Sequence, residues 1–161
     1  MAAKNHTPQH TKGSLAVRKE SSVSQPLLLP CRCGAVQLEV RGAPSAQFFC
    51  HCDDCQLLHG AAYVPESVYP ADAVRVTRGT PFSWTLKRNP RLGCPSCGTR
   101  LFIDVLAARL RGVNGYLLPP SEFKPTFHMH CRFAVRPVVD DLPHFESRPA
   151  RFGGSDDLVA W

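Results

Sequence analysis

Apolar and polar residues alternate along several short segments of the chain, which is the pattern of β-strands with one buried face. Residues 36–41 place Val, Leu and Val on one face and Gln, Glu and Arg on the other. Residues 74–77 and 82–87 repeat this alternation, and an apolar run follows at 101–103. Because residues 126–135 are also rich in strand-forming side chains, the pattern predicts a mainly antiparallel sheet.

Turn-forming residues separate the predicted strands, at residues 78–81 (Arg-Gly-Thr-Pro), 89–90 (Asn-Pro) and 114–115 (Asn-Gly). The 15 prolines make up about 9% of the chain, against a usual 5% or so, and they discourage long helices. One short helix is predicted at residues 104–109. We therefore expect a single-domain, mainly β fold with little helix, in which the alternating Phe82 and Trp84 belong to the core.

The length of 161 residues suits one domain. Residues 1–26 are rich in Ser, Lys, Gln, His and Thr without apolar periodicity, so they are predicted to form a flexible N-terminal extension before a folded domain at 27–161. No apolar stretch follows the early charges, as a secretory signal requires, and no run approaches the roughly 20 residues that cross a bilayer. The sequence therefore predicts a cytoplasmic protein without membrane contact.

The net charge of +6 is spread along the chain. Residues 1–26 carry four basic side chains and one acidic one, which is half of the excess, and the remaining charges are mixed in sign. A nucleic-acid-binding protein concentrates its basic residues on one face. Nucleic acid is therefore not an expected partner.

Seven of the eight cysteines fall into three short motifs: Cys31-Arg-Cys33-Gly, Cys50-His-Cys52-Asp-Asp-Cys55 and Cys94-Pro-Ser-Cys97-Gly. A disulfide between cysteines two residues apart would close a small strained ring, and the sequence predicts no oxidising compartment. Short turns of this kind instead bring two sulfurs onto one metal ion. The motifs predict bound zinc, with an iron–sulfur centre as the lesser alternative.

Seven ligands do not make two closed tetrahedral sites, so the expected division is four plus three. Cys31 and Cys33 can join Cys94 and Cys97 in a closed structural site, which leaves Cys50, Cys52 and Cys55 to hold a second zinc ion. Three protein ligands with an open fourth position are typical of catalytic zinc. The alternative is that another side chain fills this position and makes both sites structural; the candidates are His51, His59, His128, His130 and Cys131.

The order of the three cysteine motifs resembles that of the glutathione-dependent formaldehyde-activating enzyme family. The likeness runs from Cys31 to Trp161 and includes residues 124–130, 140–143 and 153–155. It implies a zinc-bearing β-tent fold with two zinc ions, structural and catalytic, held by the two cysteine sets above. It also implies a carbon–sulfur lyase whose partners are a thiol such as glutathione and a small aldehyde, formaldehyde, joined as S-hydroxymethylglutathione.

The site chemistry predicts that an incoming thiol binds at the open position as a thiolate and adds to the aldehyde. A basic group should meet a carboxylate of the tripeptide, and Arg88, Arg91 and Arg100 are the candidates that flank the last cysteine motif. Asp53 or Asp54 could accept a proton beside the site.

Two other classes of function remain possible at this stage. A non-catalytic, zinc-stabilised binding module would have four ligands at both ions. A thiol redox enzyme related to methionine sulfoxide reductases would use Cys131 as its reactive thiol.

Overall fold

The computed structural model describes residues 25–161, so most of the predicted N-terminal extension lies outside the described residues. Within them, one α-helix and ten strands form: α1 (Asp53–His59), β1 (Leu27–Pro30), β2 (Gln37–Val40), β3 (Ala46–Cys50), β4 (Val64–Pro70), β5 (Val74–Arg78), β6 (Phe82–Leu86), β7 (Asn89–Gly93), β8 (Arg100–Val105), β9 (Leu110–Asn114) and β10 (His128–Met129). The mainly β class and the scarcity of helix are confirmed.

Two sheets make up the fold. The smaller has the strand order β1-β2-β5, and the larger has the order β10-β3-β4-β9-β8-β7-β6. Every pair is antiparallel except β10 with β3, where His128 lies opposite Phe49. The predicted antiparallel pairing is therefore correct for all but one short edge strand, which returns to β3 after a long connection.

The main core lies between the two sheets. The inward residues Leu29, Leu38 and Val40 of the small sheet share one apolar cluster with Leu101 and Val113 of the large sheet, all almost fully buried. Burying each such side chain contributes about 1.5–3 kcal/mol. Cysteines 31 and 94 belong to the same cluster, so the first and third cysteine motifs are anchored in the core.

A second apolar cluster lies on β3 and the connection to β10. It contains Phe48, Cys50 and Phe127, with the rings of Phe48 and Phe127 stacked at 5.0 Å. Cys52 and Cys55 pack against it. The second cysteine motif is therefore fixed by a different part of the core from the other two.

The helix predicted at residues 104–109 is wrong. Strand β8 continues to Val105 and is followed by a single 3-10 turn, Leu106–Ala108, which ends at Arg109 with φ of 52°. The β-branched and aromatic residues before it keep the backbone extended. The helix forms instead at Asp53–His59, inside the second cysteine motif, where no helix was predicted.

Two further local predictions are wrong. Asn89 and Pro90 lie in β7, and the preceding turn is centred on Lys87, whose φ is 61°. Pro90 is tolerated because the pairing of β7 with β8 begins only at Arg91, so no hydrogen bond to β8 is lost. The strand predicted at residues 126–135 is limited to His128–Met129, because a 3-10 turn follows at Cys131–Phe133.

In the part of the chain that the structure describes, no helix is long and apolar enough to span a bilayer.

Gly79 lets the β5–β6 connection pass close to the first cysteine motif. Its φ is +75°, and a Cβ there would overlap the carbonyl oxygen of Ala35, directly after the Cys33-Gly34 turn. Gly79→Ala should therefore lower the free energy of unfolding, measured by urea denaturation, by at least about 3 kcal/mol. Gly42→Ala is the matched control, since Gly42 has φ of +74° with nothing within 4 Å, and should cost only about 1 kcal/mol. Equal losses for the two variants would contradict the close approach.

Candidate functional site

The first and third cysteine motifs meet at one point. The Sγ atoms of Cys31 and Cys33 are 3.6 Å apart, those of Cys33 and Cys94 are 3.7 Å apart, and the four sulfurs of this set, completed by Cys97, all lie within 4.8 Å of one another. A tetrahedral zinc with Zn–S bonds of 2.3 Å separates its sulfurs by about 3.8 Å. The four cysteines therefore fit a closed zinc site.

Backbone and hydroxyl groups support this arrangement. The amide of Val36 donates to Cys31 Sγ at 3.2 Å, and Cys97 Sγ lies 3.0 Å from Thr99 Oγ1. Hydrogen bonds to sulfur favour the thiolate, which is the form that binds metal. The motif therefore provides both the ligands and their charge stabilisation.

The second cysteine motif spans a strand end and a helix start. Cys50 ends β3, Cys52 is the N-cap of α1, and Cys55 lies in its first turn. The backbone amide of Cys55 donates to Cys52 Sγ at 3.3 Å, and the sulfurs of Cys50 and Cys55 are 3.6 Å apart. All three sulfurs lie within 4.8 Å of one another, which suits three corners of a zinc tetrahedron.

Cys52 is the sulfur of this motif that carries negative charge most readily. Hydrogen bonds from Cys50 and Cys55 lower the pKa of its thiol, and the Cys55 amide adds to the effect. The start of a helix also favours a thiolate, although α1 is short.

The structure brings no fourth ligand to this group. In residues 25–161, no other His, Cys, Asp or Glu places a ligand atom within 4.8 Å of all three sulfurs. Of the five candidates, His51 and His128 contact each other, with His51 Nε2 2.8 Å from His128 Nδ1. The second ring nitrogen of His128, Nε2, lies 2.9 Å from Asp140 Oδ2. These two rings are therefore engaged elsewhere.

A pocket opens beside the three-cysteine group and shares Cys55 with it. Helix α1 and four neighbouring strands of the large sheet, β4, β7, β8 and β9, form its walls together with one residue of β6. Its lining consists of Cys55, Leu58, His59, Glu66, Trp84, Arg91, Leu92, Arg100, Phe102, Ile103, Gly112 and Asn114. The pocket thus combines an apolar floor with basic, acidic and amide groups next to the cysteines.

The chain is similar to a known protein family and to a solved structure. The model of the family described as glutathione-dependent formaldehyde-activating enzyme matches residues 28–133, about two thirds of the chain. The chain belongs to this family. A crystal structure of a Rhodobacter sphaeroides protein is similar at 22% identity and a TM-score of 0.48, covering 58% of this chain and 89% of that one. Among curated proteins, no match was found.

Two of the three predicted arginines lie in the pocket of this formaldehyde-activating family member. Arg100 stacks its guanidinium 4.4 Å from the Trp84 ring centre and donates from Nε to the Leu58 carbonyl at 3.3 Å. Arg91 donates from Nη1 to the carbonyls of Leu86 and Asn89. Both side chains are held in place with other donors free, whereas Arg88 is exposed and is not among the lining residues.

The prediction that Phe82 and Trp84 belong to the core is wrong. Phe82 is 39% exposed and stacks on Trp84 at 4.9 Å, and Trp84 forms part of the pocket wall. Strand β6 is the outer strand of the large sheet, so its alternation distinguishes two faces, one of which covers the pocket rather than the core.

Glu66 is a site residue that sequence reasoning missed. Burial, and then the negative charge of Cys52, raise the pKa of its carboxyl to about 8, against a lowering by Arg91. Gly112 leaves the room it needs, since a Cβ there would lie 2.9 Å from Glu66 Oε2. The signal was present in the sequence: Glu66 lies in phase with Val64 and Val68, on the face of β4 where apolar residues are expected.

Of the predicted side chains Asp53, Asp54 and His59, only His59 lines the pocket. Asp54 pairs with Lys87 at 2.7 Å, Asp53 is exposed, and neither is among the pocket residues. His59 does line the pocket, and burial, followed by Arg100 and Arg91, lowers its pKa, which keeps the ring neutral at pH 7.

Cys131 does not have the environment of a reactive thiol. It is 2% exposed, and burial, with a contribution from Asp140, raises the pKa of its thiol to about 12. A thiol attacks as the thiolate, and reactive cysteines are partly exposed with lowered pKa values. The geometry therefore argues against the redox alternative.

Removing one ligand should distinguish the two cysteine sets. We expect Cys52→Ser to reduce tightly bound zinc from two equivalents to one and to leave the protein folded, because the second set lies outside the main core. Cys94→Ser should also lose one equivalent but lower the unfolding free energy by several kcal/mol, since Cys94 lies in the main core and metal binding at this set would contribute to folding. Metal analysis after gel filtration, with circular dichroism, measures both. Two equivalents in Cys52→Ser would refute the division.

The raised pKa of Glu66 predicts a dependence of stability on pH. Above pH 4.5 the carboxyl ionises in the unfolded chain but not in the folded one, so folding is progressively disfavoured until about pH 8. Glu66→Gln removes this effect. Its free energy of unfolding should therefore rise relative to wild type between pH 5 and pH 8, by up to about 1.4 kcal/mol per pKa unit.

Urea denaturation of zinc-loaded protein at several pH values provides this comparison. Glu122→Gln, at an exposed position, controls for the loss of one charge. A difference between Glu66→Gln and wild type that does not change with pH would show that the carboxyl ionises normally.

Proposed function

We propose that this protein is a zinc-dependent carbon–sulfur lyase that interconverts glutathione plus formaldehyde with S-hydroxymethylglutathione. The observation that carries the proposal is the convergence of Cys50, Cys52 and Cys55 beside a pocket that shares Cys55 and is lined by two arginines and the carboxyl of Glu66. Family membership supports this class of reaction. The catalytic unit would be the single domain formed by residues 27–161.

Both cysteine sets fit zinc by donor type and sulfur spacing. Cys31, Cys33, Cys94 and Cys97 would hold a structural ion, and Cys50, Cys52 and Cys55 a catalytic one. A zinc ion held by these three thiolates would supply Lewis-acid chemistry that favours the deprotonated form of an incoming thiol at neutral pH. The remaining steps fall to the side chains of the pocket.

Arg91 and Arg100 would bind the tripeptide. Glutathione carries two carboxylates, and planar guanidinium groups recognise carboxylates through paired hydrogen bonds. Because backbone carbonyls and the Trp84 ring already fix these arginines, little side-chain entropy is lost when the substrate binds.

Glu66 would carry the proton that the reaction moves. When the thiol sulfur bonds to the aldehyde carbon, the carbonyl oxygen takes up one proton; in the reverse direction the hydroxyl loses it as the carbon–sulfur bond breaks. A carboxyl with a pKa of about 8 can hold or release this proton near neutral pH, where general acid–base catalysis is most effective. Its position in the pocket wall puts it beside Cys55.

The direct test follows hydroxymethyl exchange between glutathione and formaldehyde by NMR. The zinc-loaded protein should accelerate exchange above the protein-free rate, and Arg91→Gln and Arg100→Gln should each raise the glutathione KM at least about 10-fold because a charged hydrogen bond to a carboxylate is lost. Arg88→Gln, outside the pocket, should behave as wild type.

A second thiol separates binding from chemistry. With 2-mercaptoethanol, which has no carboxylate, the two pocket arginine variants should match wild type within about twofold. An exchange rate in zinc-loaded wild-type protein equal to that of buffer, with both thiols, would reject the lyase proposal and favour the binding module. Sensitivity of the 2-mercaptoethanol reaction to Arg100→Gln would instead reject the assignment of carboxylate binding.

A further inference from the structure

A third group of potential metal ligands lies away from both cysteine sets. It consists of His128 in β10 and of Asp140 and His144 in the segment that follows, and one ligand atom from each lies within 4.8 Å of the other two. His128 Nε2 is 2.9 Å from Asp140 Oδ2, and His144 Nε2 is 3.4 Å from Asp140 Oδ1. Each oxygen of the Asp140 carboxylate thus lies near one imidazole nitrogen.

One nitrogen of this group lacks a partner. The side chain of His144 is 9% exposed, and among residues 25–161 its Nε2 has no hydrogen-bond partner. Leaving a buried polar atom unpaired costs about 1–3 kcal/mol, so such atoms in native proteins usually meet water, a ligand or an ion. His144 Nε2 lies 3.4 Å from Asp140 Oδ1 without the geometry of a hydrogen bond, and an ion shared with His128 and Asp140 would satisfy it.

The spacing of the ligand atoms matches what a transition ion requires. Metal–ligand bonds of 2.0–2.2 Å place neighbouring N and O ligands about 2.9 Å apart at right angles and about 3.4 Å apart in a tetrahedron. The distance from His128 Nε2 to Asp140 Oδ2 is 2.9 Å, and that from His144 Nε2 to Asp140 Oδ1 is 3.4 Å. The rings of His128 and His144 lie 4.5 Å apart with 26° between their planes, so a small displacement would admit the ion.

The surroundings also suit a metal site. His128 Nδ1 is 2.8 Å from His51 Nε2, and a metal-bound histidine characteristically uses its second nitrogen in such an orienting hydrogen bond. Burial lowers the pKa of His128, which leaves the ring neutral and its nitrogen lone pair available. Asp140 is 34% exposed and provides the route from solvent.

We propose that His128, Asp140 and His144 bind a divalent first-row transition ion, with Zn²⁺ as the expected occupant for two imidazoles and one carboxylate. Asp140 and His144 lie beyond residues 28–133, the segment that the family model matches. The ion would fasten the C-terminal segment, which has little regular structure, to β10 at the edge of the large sheet.

The existing backbone contacts show where this fastening acts. The His128 amide donates to the Pro143 carbonyl at 2.9 Å, and the Phe145 amide donates to the His128 carbonyl at 3.0 Å. The ion would add a side-chain link to a short pairing that now rests on these hydrogen bonds.

Titration of the full-length protein with Zn²⁺ tests the proposal. Protein whose two cysteine sites are loaded should take up a third equivalent, which a mild chelator removes while the first two remain. Asp140→Asn and His144→Gln should each weaken this third binding at least about 10-fold. Asp141→Asn is the matched control, because the neighbouring carboxylate is outside the cluster, and it should bind as wild type. No third equivalent in wild type, or its retention in both cluster variants, overturns the proposal.

A measurement on wild-type protein guards against a variant that fails to fold. Added Zn²⁺ should shift the imidazole NMR signals of His128 and His144, leave those of His59 in place, and raise Tm with concentration, as expected for an ion that binds only the folded state. Uptake that leaves the His128 and His144 signals unchanged would assign the ion to another site and refute the proposal. Because neither readout depends on lyase activity, the two proposals can fail separately.

Discussion

The fold depends on bringing thiolates together from distant parts of the chain. Cys33 and Cys94 are 61 residues apart in sequence, yet their sulfurs are 3.7 Å apart. Four thiolates at this spacing would repel one another strongly unless a cation lay between them, so the binding of a metal ion here would also contribute free energy to folding. Since one pair follows β1 of the small sheet and the other links β7 to β8 of the large sheet, this centre joins the two sheets at the margin of their shared core.

The second cysteine motif has two structural roles: Cys52 begins helix α1, and Cys55 lines the pocket. Cys52 caps α1 through its sulfur, so the hydrogen bond that begins the helix also fixes one ligand. Helix α1 then places Cys55 in the pocket wall opposite strands of the large sheet. Glu66 lines the same pocket, where loss of solvent and the charge of Cys52 disfavour the ionised form of its carboxyl. A site that holds a carboxyl against its ordinary pKa lowers folding stability in exchange for a group that titrates near neutrality.

The sequence predicts what is local and misses what is made by long-range packing. Strand periodicity and cysteine spacing are short-range signals: β2, β5, β6 and β8 follow the first, and the grouping of seven sulfurs follows the second. The division into two sheets was not predicted. The role of Trp84 could not be predicted, because alternation separates two faces of a strand without saying what covers each. The His128 environment required the parallel pairing of β10 with β3, which joins residues almost 80 positions apart and has no local signal.

The charges of the cysteine set and of the lining residues Arg91, Arg100 and Glu66 are complementary. Three thiolates on a divalent ion would carry a net charge of −1, which would oppose the approach of a substrate carboxylate. Arg91 and Arg100 place two guanidinium groups in the pocket lining, and each is held by backbone carbonyls or by the face of Trp84. Within residues 25–161 neither arginine forms an ion pair, so both could pair with carboxylates of a substrate. The protonated form of Glu66 would not pair with the arginines, so the carboxyl that we propose to move the proton would also leave them available to the substrate.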